Sequence, residues 1–146
     1  MKWRRWAYTL VLASSFALAE TMEGFQITDA WIREAPPVVS ALAGYARIQN
    51  QTDEAAVLVG ASSEDFAAVE FHRSEIVDGL ARMREVSSVA IPPRTVATFE
   101  PGALHMMLIK PRRAFKVGDL AVIKLLFDDG RRLQIEAPIP QKAPDN

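Results

Sequence analysis

The sequence predicts an all-β fold, an antiparallel Greek-key β-sandwich or small barrel, and three observations predict it. Short apolar or alternating runs recur along the chain with turn residues between them. One of them, Thr95 to Phe99, is rich in β-branched and aromatic side chains. Helical periodicity is weak throughout, and only Ser63 to Val69 has room for a helical turn. Eight or nine short strands at this spacing form a two-layer or closed β structure.

Taken in order, Phe25 to Ile32 reads as the first strand, ended by Pro36-Pro37. Ala41 to Gln49 alternates loosely, and Asn50-Gln51-Thr52-Asp53 follows as a turn signal. Ala55 to Ala61 is the third strand. Phe66 to His72 reads as a short strand, or as a helical turn leading into one. Gly79 marks a turn, after which Ala81 to Val86 returns as the partner strand of a hairpin. Ile91-Pro92-Pro93 reads as a loop before the strand Thr95 to Phe99. The turn Glu100-Pro101-Gly102 precedes Leu104 to Ile109. Leu120 to Phe127, Asp128-Asp129-Gly130 and Arg131 to Ala137 make a strong hairpin signal.

The N-terminus stands apart from this pattern. Lys2, Arg4 and Arg5 precede an apolar run from Trp6 to Leu18, and Ala17-Leu18-Ala19 reads as an A-x-A cleavage site before Glu20. Residues 1–19 are therefore expected to be a cleaved export signal. Residues 20–146 are expected to be one domain without a membrane span, placed outside the cytoplasm. Cleavage would leave fourteen basic against eighteen acidic side chains, a formal charge of −4. With no dense basic run beyond the leader, nucleic acid is not an expected partner.

The chain has no cysteine, two histidines and five methionines. Met1 is the initiator and Met22 lies at the start of the expected mature chain. The remaining soft or imidazole side chains, His72, Met83, His105, Met106 and Met107, fall in two short segments. His105 and Met107 are two apart on an expected strand, so both leave one face, and Met106 points into the core. His72 and Met83 flank the turn at Gly79, which folds them toward each other. If the two segments adjoin, two imidazoles and two thioethers converge. Thioethers are soft and neutral, so such a set suits Cu(I) better than zinc, which takes few thioethers, or calcium and magnesium, which want oxygen. A blue-copper centre would need a cysteine thiolate. Arg73, Arg82 and Arg84 flank two of these residues and read as a solvated strand edge, and Trp31 reads as a packing residue without a role in metal binding. No nucleophile motif accompanies either histidine, so a hydrolase is poorly supported and the chain reads as a non-enzyme.

The interval from His72 to Met83 holds ten residues and that from Met83 to His105 holds twenty-one. This resembles the H(M)-x10-M-x21-H-x-M signature of periplasmic copper chaperones of the PCuAC type. Asp29-Ala30-Trp31-Ile32-Arg33, Ala43-Gly44-Tyr45, Asn50, Pro101 to Leu108 and Leu126-Phe127 look like further landmarks of that family. The resemblance implies a cupredoxin-like β-sandwich with one Cu(I) held by His72, Met83, His105 and Met107. It implies copper delivery toward the CuA centre of cytochrome c oxidase. The expected partner is a thiol-containing oxidase assembly protein or the oxidase subunit that carries CuA. Arg73 stands where some relatives have a Met, so a supplementary thioether is not expected at the site, and Pro140 to Asn146 lacks the His- and Met-rich tail of others, so a second, Cu(II) site is not expected. Copper storage or resistance, and an exported sandwich that binds a protein partner without metal, are the competing readings.

Overall fold

The computed structural model describes residues 22–144, so the expected export signal, residues 1–19, lies outside the described residues. Ten strands and no helix occur among the described residues. They are β1 (Phe25–Ile32), β2 (Ala41–Asn50), β3 (Ala56–Ser62), β4 (Phe66–Val77) and β5 (Leu80–Glu85), then β6 (Val89–Ile91), β7 (Val96–Phe99), β8 (Leu104–Pro111), β9 (Leu120–Phe127) and β10 (Arg132–Pro138). All pairings are antiparallel, and the strands join in the order β1-β2-β8-β4-β3-β9-β10, with β5 on β4, β6 on β3 and β7 on β2. β1 packs against β10, so the single sheet curls nearly into a barrel. The all-β antiparallel expectation holds, in the curled-sheet form.

Two local expectations are corrected. The strand not expected is β6, whose three residues precede Pro92-Pro93 and whose last residue, Ile91, belongs to the strand rather than to the expected loop. No helical turn forms between Ser63 and Val69, because Phe66 already belongs to β4. Phe66 and Val69, three apart, imitate a helical stripe. On a strand they fall on different faces, and Phe66 is buried in a stacked contact with Phe115 at 5.0 Å between ring centroids.

The interior is filled by alternating residues of the strands. Leu104, Met106 and Leu108 of β8 and Val69 and Phe71 of β4 belong to one buried cluster with Ile48, Leu58, Ile123, Leu125 and Ile135. Full burial of side chains this size stabilises by about 1.5–3 kcal/mol each. Period-two alternation then sends His105 and Met107 to the opposite face of β8. The β4–β5 hairpin closes through Asp78 and Gly79, both with positive φ (54° and 75°), the two-residue geometry that matches strand twist.

A bulge in β1 between Thr28 and Trp31 changes the register there, with Asp29 at φ 53°. Asp tolerates that left-handed backbone better than most residues. The extra residue brings Trp31 opposite Tyr45 rather than Gly44. A Cβ on Gly44 would touch Leu108 and Met106, so Gly44 faces the core and Tyr45 faces the side that carries His105.

Candidate metal centre

His72 and His105 are directly paired across β4 and β8. Their ring centroids are 6.1 Å apart. A metal–imidazole bond of about 2 Å puts each centroid roughly 3 Å from an ion, so two rings on one ion sit roughly 5–6 Å apart. The observed separation therefore suits a shared ion with little movement.

Each ring has one nitrogen engaged by the protein. The Nδ1–H of His105 donates to the Ala103 carbonyl at 2.9 Å, which leaves Nε2 with its lone pair free to bind. The Nε2–H of His72 donates to a Glu70 carboxylate oxygen at 2.9 Å. Its Nδ1 is buried with no hydrogen-bond partner. Burying a bare polar nitrogen costs about 1–3 kcal/mol, so such an atom needs an explanation. Metal-bound histidines characteristically donate their second ring N–H to a carboxylate or a backbone carbonyl. Both forms of that support are present here, one on each ring.

The thioethers occupy the same face. Met107 lies two residues from His105 and opposite Glu70 of β4, and it is half-buried. Met83 lies on β5 opposite Ser74, one strand outside His72 and diagonal to it. Diagonal neighbours on one face have their backbones about 7–8 Å apart, within reach of a long side chain. Met83 is 55% exposed and every residue of β5 is exposed, whereas Met106 is 0% exposed inside the core. The histidine pair is thus assembled, Met107 adjoins it, and Met83 is the outlying member. Among the described residues no three His, Cys, Asp or Glu side chains group to hold a metal ion. An ion at the pair would need thioethers to complete its shell, which favours a soft cation.

The wall of this face is aromatic. Trp31 and Tyr45 are 5% and 4% exposed, with ring centroids 4.6 Å apart, and both stand outside the main core cluster. Burial raises the Tyr45 phenol above its ordinary value, partly offset by Arg33, whose guanidinium lies 5.7 Å from the ring centroid. Arg73, Arg82 and Arg84 sit on the reverse face of the hairpin, where Arg84 pairs with Glu75 at 2.9 Å. Sequence reasoning missed Glu70. Its i, i+2 spacing from His72 on a strand was the available signal, since that spacing puts both on one face.

The sequence model of the LpqE-like family, described as "Putative lipoprotein LpqE-like", matches residues 25–139. This chain belongs to the LpqE-like family. The LpqE-like chain is similar to "Putative lipoprotein Lxx21020" of Leifsonia xyli subsp. xyli, at 26% identity over 128 residues, 87% of this chain and 76% of the relative. Its fold is that of PCuAC domains. The copper-bound PCuAC domain from PmoF2 superposes with a TM-score of 0.68 at 24% identity, covering 85% of this chain and 97% of that one. The solution structure of CuI-DR1885 from Deinococcus radiodurans superposes with a TM-score of 0.64 at 28% identity, covering 89% and 87%. The resemblance read from the His and Met spacing is borne out at the level of family and fold.

Proposed function

We propose that this LpqE-like protein is an exported carrier of one Cu(I) ion, held by His72, Met83, His105 and Met107. The observation that carries this reading is the buried, unpartnered Nδ1 of His72 beside His105, in a pair whose other ring nitrogens are already engaged. The likeness to copper-bound PCuAC domains supports it. In this reading residues 1–19 direct export and are removed, residues 20–146 form the carrier domain, and the protein works in the periplasm.

The chain's own groups divide the task. The two imidazoles form the fixed half of the site, because both belong to central strands. Met107 adds a thioether from the same strand as His105, and Met83 closes the shell from the edge. Thioethers favour Cu(I) over Cu(II), and the buried Trp31–Tyr45 wall limits water on one side. Release proceeds by ligand exchange, in which an acceptor thiolate displaces a neutral thioether and the copper keeps its oxidation state. Such an acceptor fits a thiol-bearing assembly protein or a CuA subunit of cytochrome c oxidase. Imidazole binds metal only when its ligating nitrogen is unprotonated, so affinity falls as pH drops.

Anaerobic titration with Cu(I) against a chromophoric chelator tests the site. One equivalent is expected to bind, and a His72→Ala, Met107→Ala double variant is expected to lose it. Unchanged affinity in that variant overturns the assignment. Storage differs from delivery only in the partner, so the loaded protein is then mixed with an equimolar apo acceptor bearing two thiols. Transfer supports delivery, and retention supports storage.

A further inference from the structure

We infer that Glu70 is a positioning residue that sets which nitrogen of His72 meets the ion, so that His72 binds through Nδ1 and His105 through Nε2. This rests on the Cu(I) reading. A neutral imidazole carries its proton on one nitrogen or the other, and the hydrogen bond at one nitrogen decides which. The Glu70 carboxylate can only accept while ionised, so the 2.9 Å contact places the proton on Nε2 of His72. The lone pair is left on Nδ1, which is the atom that is buried and unpartnered. At His105 the Ala103 carbonyl, also a pure acceptor, places the proton on Nδ1 and frees Nε2. The two rings therefore present opposite nitrogens. The geometry has a local cause in each case. Glu70 and His72 are two apart on β4 and share a face, so the carboxylate reaches the far nitrogen of the ring. Ala103 is two before His105 in the turn that leads into β8, so its carbonyl reaches the near nitrogen.

Glu70 is not a ligand in this scheme. Its side chain is 37% exposed, while the ring it holds is 18% exposed, so Glu70 is the more solvent-accessible of the two. Its cross-strand partner is Met107, and the carboxylate and the thioether therefore border the same edge of the imidazole pair. Fixing the tautomer before the ion arrives removes a rearrangement from capture.

Nitrogen-15 imidazole spectra of the apo and Cu(I)-loaded full-length protein read both tautomers. In the wild type His72 is expected to carry its proton on Nε2 and His105 on Nδ1. Cu(I) is then expected to shift Nδ1 of His72 and Nε2 of His105. Glu70→Gln keeps an acceptor oxygen and is expected to keep the tautomer, with affinity within a few-fold. Glu70→Leu is expected to give mixed tautomers at His72 and about 10–100-fold weaker Cu(I) binding, the usual effect of losing a ligand's supporting partner. A wild-type shift at Nε2 of His72 overturns the inference, as does Glu70→Leu leaving tautomer and affinity unchanged. The apo spectra decide the hold of Glu70 on the tautomer without copper. A wild type that takes up no Cu(I) therefore overturns the carrier reading separately.

Discussion

Asn50 and the His72–His105 pair both carry buried polar atoms in the same sheet, and those atoms are satisfied in opposite ways. The Asn50 side chain is fully bonded. Its amide nitrogen donates to the carbonyls of Glu54, Ile91 and Pro92 at 2.7, 3.0 and 3.2 Å, and its oxygen accepts from the Thr52 N–H and hydroxyl at 3.0 and 2.7 Å. It ties the end of β2 and the following turn to the end of β6. The histidine pair keeps one buried nitrogen bare. A buried polar group whose every atom is bonded within the chain contributes to the fold. One that is supported on one side and bare on the other stores a desolvation cost that an external ligand can remove. The two sites should therefore fail in different currencies.

The largest effect is expected at Asn50. Asn50→Ala takes away the side-chain partners of the Ile91 carbonyl and the Thr52 N–H, while the Glu54 and Pro92 carbonyls keep bonds from Thr52 and Thr95, and it should destabilise by about 3–4 kcal/mol. A melting scan should show a Tm lower by roughly 10–20 °C. At a temperature where the variant is folded, its Cu(I) affinity should match the wild type. Reduced affinity in folded protein would break the separation of the two sites.

Next in size is a contrast between adjacent methionines. Met107→Leu should weaken Cu(I) binding by about tenfold, near 1.4 kcal/mol, with little change in Tm. Met106→Leu should leave affinity unchanged and cost under about 1.5 kcal/mol of stability, as buried Leu-for-Met exchanges do. Chelator competition and thermal melts on the two variants read this directly, and exchanged phenotypes would mean that the faces of β8 are reversed.

The smallest effect lies in the aromatic wall. The folded state raises the Tyr45 phenol above its unfolded value by burial. Its stabilisation is therefore fully present below the unfolded pKa and is lost as pH rises through the raised one. Tyr45→Phe should remove that alkaline loss, so its denaturant midpoint should fall less than the wild type's above about pH 10. Equal falls in both proteins would place the titrating group elsewhere.

Nine of the ten strands and the alternation that separates Met106 from its neighbours were legible, because period-two patterning and turn residues are local signals. β6 was not, because three residues before two prolines are too few to show a pattern. The bulge at Asp29 was hidden as well, since nothing in Asp29-Ala30-Trp31 states that the strand gains a residue there. It decides that Trp31 meets Tyr45 instead of joining the main core. At the centre, the soft side chains and their shared face were readable from spacing. Their support was not, because the roles of Glu70 and the Ala103 carbonyl depend on side-chain rotation that a strand pattern does not specify.

The placement of Met83 has one more consequence. β5 is tethered to the sheet by a single neighbour, β4, and its side chains are all exposed, so little apolar burial opposes its detachment. Fraying of such an edge requires far less free energy than global unfolding. If Met83 is a ligand as proposed, it can thus leave with β5 alone while the imidazoles stay fixed on β4 and β8, which makes unloading a local event that the rest of the sheet does not feel.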